Sequence, residues 1–141
     1  MSAREPRIVV YEDRHFHGVR ALWETVFPDD PPWNRAEAAI PNKLAVDRDL
    51  FLVTLDGERV IGTVMAGYDG HRGWLYAVAV HPEARRTGVG RRLVAAAEDR
   101  LRARGCVKLN LQVRAGNDAA IAFYEALGFA QEPRISLGKR L

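Results

Sequence analysis

Residues 78–101 leave a chain of this size few folds to adopt. The run Val78-Ala79-Val80 reads as an apolar strand, and Pro82, which has no N–H to give to a ladder, ends it. Val89, Leu93, Ala97 and Leu101 recur four apart, the spacing of one buried stripe along a helix. Strand and helix are joined by a turn holding Arg85, Arg86, Gly88 and Gly90. Glycine lets successive N–H groups turn into one concavity, and a helix start adds unpaired donors and its positive dipole end. Such a turn is a site for an anion, most naturally a phosphate or pyrophosphate.

Two familiar phosphate loops do not fit. A Walker loop needs a Lys-Ser/Thr pair that this turn lacks. A dinucleotide fingerprint needs a third glycine where Leu93 stands, and it should follow the first strand. What remains is Arg85-x-x-Gly88-x-Gly90, which taken alone equally describes an ordinary strand-to-helix turn with solvated arginines.

Composition narrows the ligand. The net charge of +3 and pI of about 9.3 are unevenly spread, with seven arginines between Arg85 and Arg104. Nucleic acid or a small polyanion would account for them. No interleaved aromatics or nucleic-acid motif accompany the arginines, so the small anion is favoured. At 141 residues, 48% hydrophobic and 28% charged, a single domain over 1–141 with one well-filled core is expected. There is no apolar run of membrane-spanning length and no basic-then-apolar leader, so no membrane association is expected. The single cysteine, Cys106, permits no internal disulfide, which makes a reducing, cytoplasmic location the default. With no basic or histidine partner nearby in sequence, Cys106 reads as a small buried hydrophobe and not as a nucleophile. His15 and His17 have no metal-ligand spacing with the other two histidines; they read as solvated, and no metal is expected.

Taken in order, Arg7–Tyr11 reads as a first strand, and Asp13 as the N-cap of a helix with Phe16, Val19, Trp23 and Val26 or Phe27 on one stripe. Pro28-Asp29-Asp30-Pro31-Pro32 breaks that helix. A second helical stretch runs from Trp33-Asn34 to about Val46, with a kink or division expected at Pro41. Its proline-rich entry with Trp33 reads either as a lid or as a rigid surface loop. Strands follow at 50–55 and 59–66, joined by the hairpin signal Asp56-Gly57. The polar turn 67–73 leads to the strand 74–80 and so to the loop and helix above. Arg102 and Arg104 suit that helix's C-terminus and Gly105 stops it. Val107, Leu109, Leu111 and Val113 alternate with polar residues as a strand. Asn117 caps a helix whose stripe is Ala120, Phe123, Tyr124 and Leu127, ended by Gly128, and 129–137 reads as a last strand interrupted at Pro133. The order is β-α-α-β-β-β-α-β-α-β, a mixed α/β sheet with helices on both faces, in which 74–113 is a parallel, right-handed crossover.

Residues 117–129, Asn-Asp-Ala-Ala-Ile-Ala-Phe-Tyr-Glu-Ala-Leu-Gly-Phe, resemble the GNAT signature Asn-x-x-Ala-x-x-x-Tyr-x-x-x-Gly-Phe, at the expected distance after a loop that resembles the family's acyl-CoA loop. The likeness covers nearly the whole chain. Within the family it is nearest to the small bacterial YpeA-type acetyltransferases, on Pro32-Trp33-Asn34, the turn 67–73 and Ser136-Leu137-Gly138-Lys139-Arg140-Leu141.

The resemblance implies an acetyl-CoA-dependent N-acetyltransferase. The pyrophosphate would rest on Arg86, Thr87, Gly88, Val89 and Gly90 with Arg85 beside it. The pantetheine arm would bond backbone groups near Val78 and Val80, Asn117 would touch the arm, and Tyr124 would protonate the departing thiolate. By its place on the apolar stripe, Tyr124 reads as a core aromatic. Trp33, Tyr76 and Asp69 are candidates for acceptor contacts. The general base is not singled out by spacing among Tyr76, Asp69, His71 and Glu24. In the branch that acetylates ribosomal-protein N-termini a glutamate stands where this chain has Gln112, which cannot accept a proton near neutral pH. A small primary amine is therefore the expected acceptor, attacked directly in a ternary complex. The alternatives are a peptide N-terminal acetyltransferase, a non-catalytic acyl-CoA-binding module or a nucleic-acid-binding domain. A homodimer is left open.

Overall fold

The computed structural model describes residues 5–141, so the expected domain start at residue 1 lies outside the described residues. The chain divides into two compact units, Met1–Leu111 and Gln112–Leu141. In the first, β1 (Arg7–Val10), β2 (Phe51–Asp56), β3 (Arg59–Tyr68), β4 (Gly73–Val80) and β5 (Leu109–Leu111) make one sheet in that order. The first four strands are antiparallel to their neighbours and β5 is parallel to β4. Helices α1 (Phe16–Val26) and α2 (Ala36–Asp47) link β1 to β2, and α3 (Val89–Ala103) is the crossover from β4 to β5. Mixed α/β was the expected class.

Adjacent residues of β3 show which helix covers which face. A Cβ added at Gly62 would come within 2.8 Å of Leu93 Cδ1 and 2.9 Å of Val89 Cγ1, so α3 lies against the backbone there. The next side chain, Thr63, meets Trp23 of α1. Neighbouring residues of a strand point to opposite faces, so α1 and α3 cover opposite faces. Phe51, Val53 and Leu55 pack with Val19, Leu22 and Trp23 of α1 and with Ala36 and Ile40 of α2. Tyr11 stacks on Phe51 at 4.6 Å between ring centroids. Val89, Leu93, Ala97 and Leu101 are all buried, as their four-residue spacing requires.

Several expectations are corrected. Glu12, and not Asp13, caps the first helical segment, in a reciprocal box with His15: the Glu12 N–H donates to His15 Nδ1 at 3.0 Å. His15 is consequently buried, edge-on to Tyr11, where solvent exposure was expected. α2 runs unbroken through Pro41. Proline there removes the N–H that would reach the carbonyl of Glu37, one turn from the helix start, and nothing more of the ladder. β5 is three residues long, Val107 is exposed, and Cys106 is buried outside the strand.

The second unit holds α4 (Asp118–Ala126), capped by Asn117, whose Oδ1 accepts from the Ala120 N–H at 3.2 Å. Gly128 takes left-handed backbone (φ 98°), and the Phe129 N–H returns to the Tyr124 carbonyl at 3.1 Å. The expected last strand over 129–137 is not formed. Pro133 has no ladder donor, and the Arg134 N–H closes locally on the Glu132 carbonyl at 2.8 Å.

Candidate functional site

The site begins with an irregularity in β4. Thr63 pairs with Ala79 and Met65 with Tyr76, so Val64 faces two residues, Ala77 and Val78, instead of one. Ala77 takes left-handed backbone (φ 49°), rare for a residue with a Cβ. The bulge changes which backbone groups face which way. The Gly73 N–H donates to the Lys108 carbonyl at 2.8 Å, toward β5. Uninterrupted alternation would send Ala77 and Ala79 to that same side. Beyond the bulge, however, the His81 N–H donates to the Ile61 carbonyl at 2.8 Å, so Ala79 and His81 face β3. Val78 and Val80 therefore carry their N–H and C=O groups to the side turned away from β3. The ladder to β5 covers only Gly73–Leu75.

Past Val80 a single turn (Pro82–Ala84) leads into the loop. The His81 ring accepts from the Glu83 N–H at 3.1 Å and meets Arg59 at 3.0 Å through its other nitrogen. The loop has left-handed backbone at Arg86 (φ 65°) and at Gly88 (φ 87°), which is the N-cap of α3. The first helical backbone bond is Arg92 N–H to the Gly88 carbonyl, 3.0 Å. The N–H groups of Gly88, Val89, Gly90 and Arg91 are therefore the ones that a helix start leaves without internal acceptors. The Thr87 hydroxyl donates to the Ala84 carbonyl, which holds the loop's shape. A Cβ at Gly88 would sit 3.5 Å from guanidinium nitrogens of both Arg91 and Arg92. No acidic residue occupies the first turn of α3. Among the described residues, Arg85, Arg86, Arg91 and Arg92 are bridged to no carboxylate. The free N–H groups of a helix N-terminus, with guanidinium groups held by no carboxylate and Arg92 donating to the Thr87 carbonyl at 3.5 Å, make this loop a candidate cradle for a polyanion.

The acceptor candidates are less closely gathered. Tyr76 is half exposed (55%) on the α1 side of β4. Burial and the nearby Asp69 carboxylate push its phenol above the usual range, so it stays protonated at neutral pH. Asp69 accepts the N–H groups of Arg72 and His71, each at 2.8 Å, which hold its carboxyl below the usual range. At neutral pH Tyr76 thus offers no phenolate to take a proton, and Asp69 is a weaker base than an ordinary carboxylate. Glu24 lines a cavity of about 520 Å³ together with Arg20, Trp23, Phe27, Asp30 and Arg35. Trp33 is exposed (48%) and does not line that cavity. His71 is exposed in the turn between β3 and β4.

In the second unit Tyr124 is half-buried, edge-on to Phe123 and Phe129 at 5.0 and 5.6 Å. Burial pushes its phenol up to about 12. Asn117 spends its Oδ1 on the cap, leaving its amide N–H groups as donors. Gln112 donates to the Ser136 hydroxyl, tying the start of the unit to its tail. Sequence reasoning missed the bulge and Thr63, whose one outward sign is a polar residue inside an apolar strand.

Similarity to known proteins agrees with this geometry. Residues 16–129 match the model of the acetyltransferase (GNAT) family. An acetyltransferase of Yersinia enterocolitica is 45% identical over 136 residues, covering 95% of this chain and 94% of its own. Among solved structures, the ribosomal-protein-S18-alanine N-acetyltransferase of Escherichia coli is 25% identical with a TM-score of 0.75, covering 91% of this chain and 79% of its own. AAC(6')-Iy, solved with the bisubstrate analogue CoA-S-monomethyl-acetylneamine, has a TM-score of 0.80 at 20% identity, covering 98% and 99%. No helix among the described residues is long and apolar enough to cross a membrane. The match over most of the chain, and the relative at 45% identity, place the chain in the GNAT family of acetyltransferases.

Proposed function

We propose that the protein transfers the acetyl group of acetyl-CoA to a primary amine of a small molecule, by direct attack in a ternary complex. One observation carries this reading: a bulged β4 turns the backbone of Val78 and Val80 away from β3 and leads straight into the N–H cradle at Arg86–Gly90. The reading takes residues 1–141 as one domain and the location as cytoplasmic. Acetyl-CoA supplies the acyl group as a thioester: a C–N bond forms, the C–S bond breaks, and the amine loses one proton while the thiolate gains one. The cradle and Arg85 hold the pyrophosphate, and the outward groups of Val78 and Val80 pair with the amides of the arm, as a strand edge pairs with an added strand. The Val78 N–H is a preorganised donor for the charge that develops on the carbonyl oxygen. Tyr124 gives its proton to the thiolate, and Asn117 donates to the arm. Trp33, Tyr76 and Asp69 contact the acceptor.

Gln112 supports a small amine over a peptide N-terminus. It offers no basic group, and its amide is engaged with Ser136. The test is a panel of small amines and N-terminal peptides, scored by the initial rate of CoA release. Small amines should turn over faster than any peptide. Peptides matching the best amine would favour the N-terminal reading, to which the 25% likeness to the S18-alanine enzyme lends weight. Binding of acetyl-CoA with no release on any acceptor would favour a non-catalytic module.

A further inference from the structure

Between Val60 and Ala66, β3 presents one polar side chain, Thr63, and it is fully buried. A buried hydroxyl is costly unless bonded, and valine would fill the same space without that cost. Thr63 is bonded twice. It accepts from the Trp23 indole N–H at 2.9 Å and donates to the Ala77 carbonyl at 2.8 Å. Trp23 is itself buried and lies in the stack with Phe51. The chain of bonds thus runs from the core of α1 to the one left-handed residue of β4.

The bulge takes Ala77 out of step with β3, and Thr63 supplies its carbonyl with a donor. Donation by the indole uses the hydroxyl's acceptor side, so its proton is directed at Ala77. With that carbonyl held inward, the peptide N–H of Val78 is turned the other way. We propose that Thr63, fixed by Trp23, is a positioning residue for the thioester end of acetyl-CoA. This rests on the acetyl-CoA reading above. On that reading the pyrophosphate lies at the loop after Val80 and the arm runs back along β4, so the acyl end reaches the bulge. Left-handed backbone at an alanine is a strained state that persists only where its surroundings hold it.

The test separates the two ends of the ligand. Wild type, Thr63→Val and Thr63→Ser are titrated calorimetrically with acetyl-CoA and with 3′,5′-ADP, which carries the phosphate end alone, and their melting temperatures are recorded. Thr63→Val should weaken acetyl-CoA by about tenfold, the effect of one lost hydrogen bond, and leave 3′,5′-ADP within about twofold. Thr63→Ser, which keeps the hydroxyl, should bind both ligands like wild type. If Thr63→Val does not fold, Trp23→Phe removes the indole donor together with some buried volume; it should lower the melting temperature and weaken acetyl-CoA, by a smaller factor, while leaving 3′,5′-ADP within about twofold. An unchanged ratio of the two affinities in the folded variant, or parallel loss of both ligands, overturns the proposal and leaves Thr63 a packing residue. Wild type that binds neither ligand overturns the acetyl-CoA reading itself, and this proposal with it.

Discussion

Tyr124 keeps its proton throughout the neutral range because burial holds its phenol near 12. At neutral pH it therefore has a proton to give and no phenolate to act as a base, while burial makes the phenol a weaker acid than usual. Tyr124→Phe keeps the ring against Phe129 and removes the proton. Turnover should fall by about 10²–10⁴-fold, the range for loss of general acid catalysis, with acetyl-CoA affinity and melting temperature near wild type. Unchanged turnover under conditions where chemistry limits the rate would make Tyr124 a core aromatic. His15 gives a prediction of another kind. Burial, with Arg14 nearby, holds its pKa below the usual 6.5, so the folded state favours the neutral ring, which accepts the Glu12 N–H. Unfolding raises that pKa back to its ordinary value. The contribution is therefore complete above about pH 6.5 and is lost as pH falls from there through the lowered folded value. Denaturant midpoints measured across that window should drop for wild type. They should drop less for His15→Asn, which can accept the same N–H and does not titrate.

At the scale of elements, the loop runs straight into α3, with Gly88 as its N-cap, and α3 lies directly on Gly62 of β3. Gly88 has left-handed backbone, which costs a residue with a Cβ roughly 1–2 kcal/mol. Gly88→Val should lower stability by about that much and abolish binding of 3′,5′-ADP, measured by calorimetry, because a side chain would stand among the free N–H groups of the helix start. Retained affinity would separate the loop from the phosphate. This piece was legible in the sequence: a four-residue period, a proline stop and two glycines each have one dominant physical cause. The neighbouring bulge was not. Residues 74–80 are almost uniformly apolar, so one extra residue leaves no break in a pattern of alternation. Apolar alternation also overextended β5, since Val107 alternates correctly and yet is exposed. The last strand failed for a related reason. Residues 129–137 have strand-forming side chains on either side of a proline whose missing donor proved decisive. Among the candidate residues, those of the loop were suggested by their spacing together with the family resemblance. Thr63 was not, because a threonine in a strand is unremarkable until its partners are known.

For the whole molecule, the proposed ligand is a polyanion whose binding should raise the temperature at which the chain unfolds. A ligand that binds only the native state at 100 times its Kd stabilises by about 2.7 kcal/mol. For a chain of 141 residues that corresponds to a rise in melting temperature on the order of 10 °C. Part of this comes from arginines in water. Arg85, Arg86, Arg91 and Arg92 are all exposed, and attraction between exposed charges is screened within about 10 Å at 0.1 M salt. The rest comes from N–H groups in contact with the phosphates, which salt reaches less. Thermal unfolding with and without saturating acetyl-CoA, at about 0.05 M and about 0.5 M salt, should therefore show a shift that shrinks with salt but persists. Double-stranded DNA at the same phosphate concentration should give no shift at either salt. A nucleic-acid-binding domain would behave in the opposite way, with a steep loss of DNA binding over this range and no response to acetyl-CoA. An acetyl-CoA shift that vanishes completely at high salt would reduce the cradle to a patch of surface arginines. Absence of any shift at low salt would remove acetyl-CoA as the ligand.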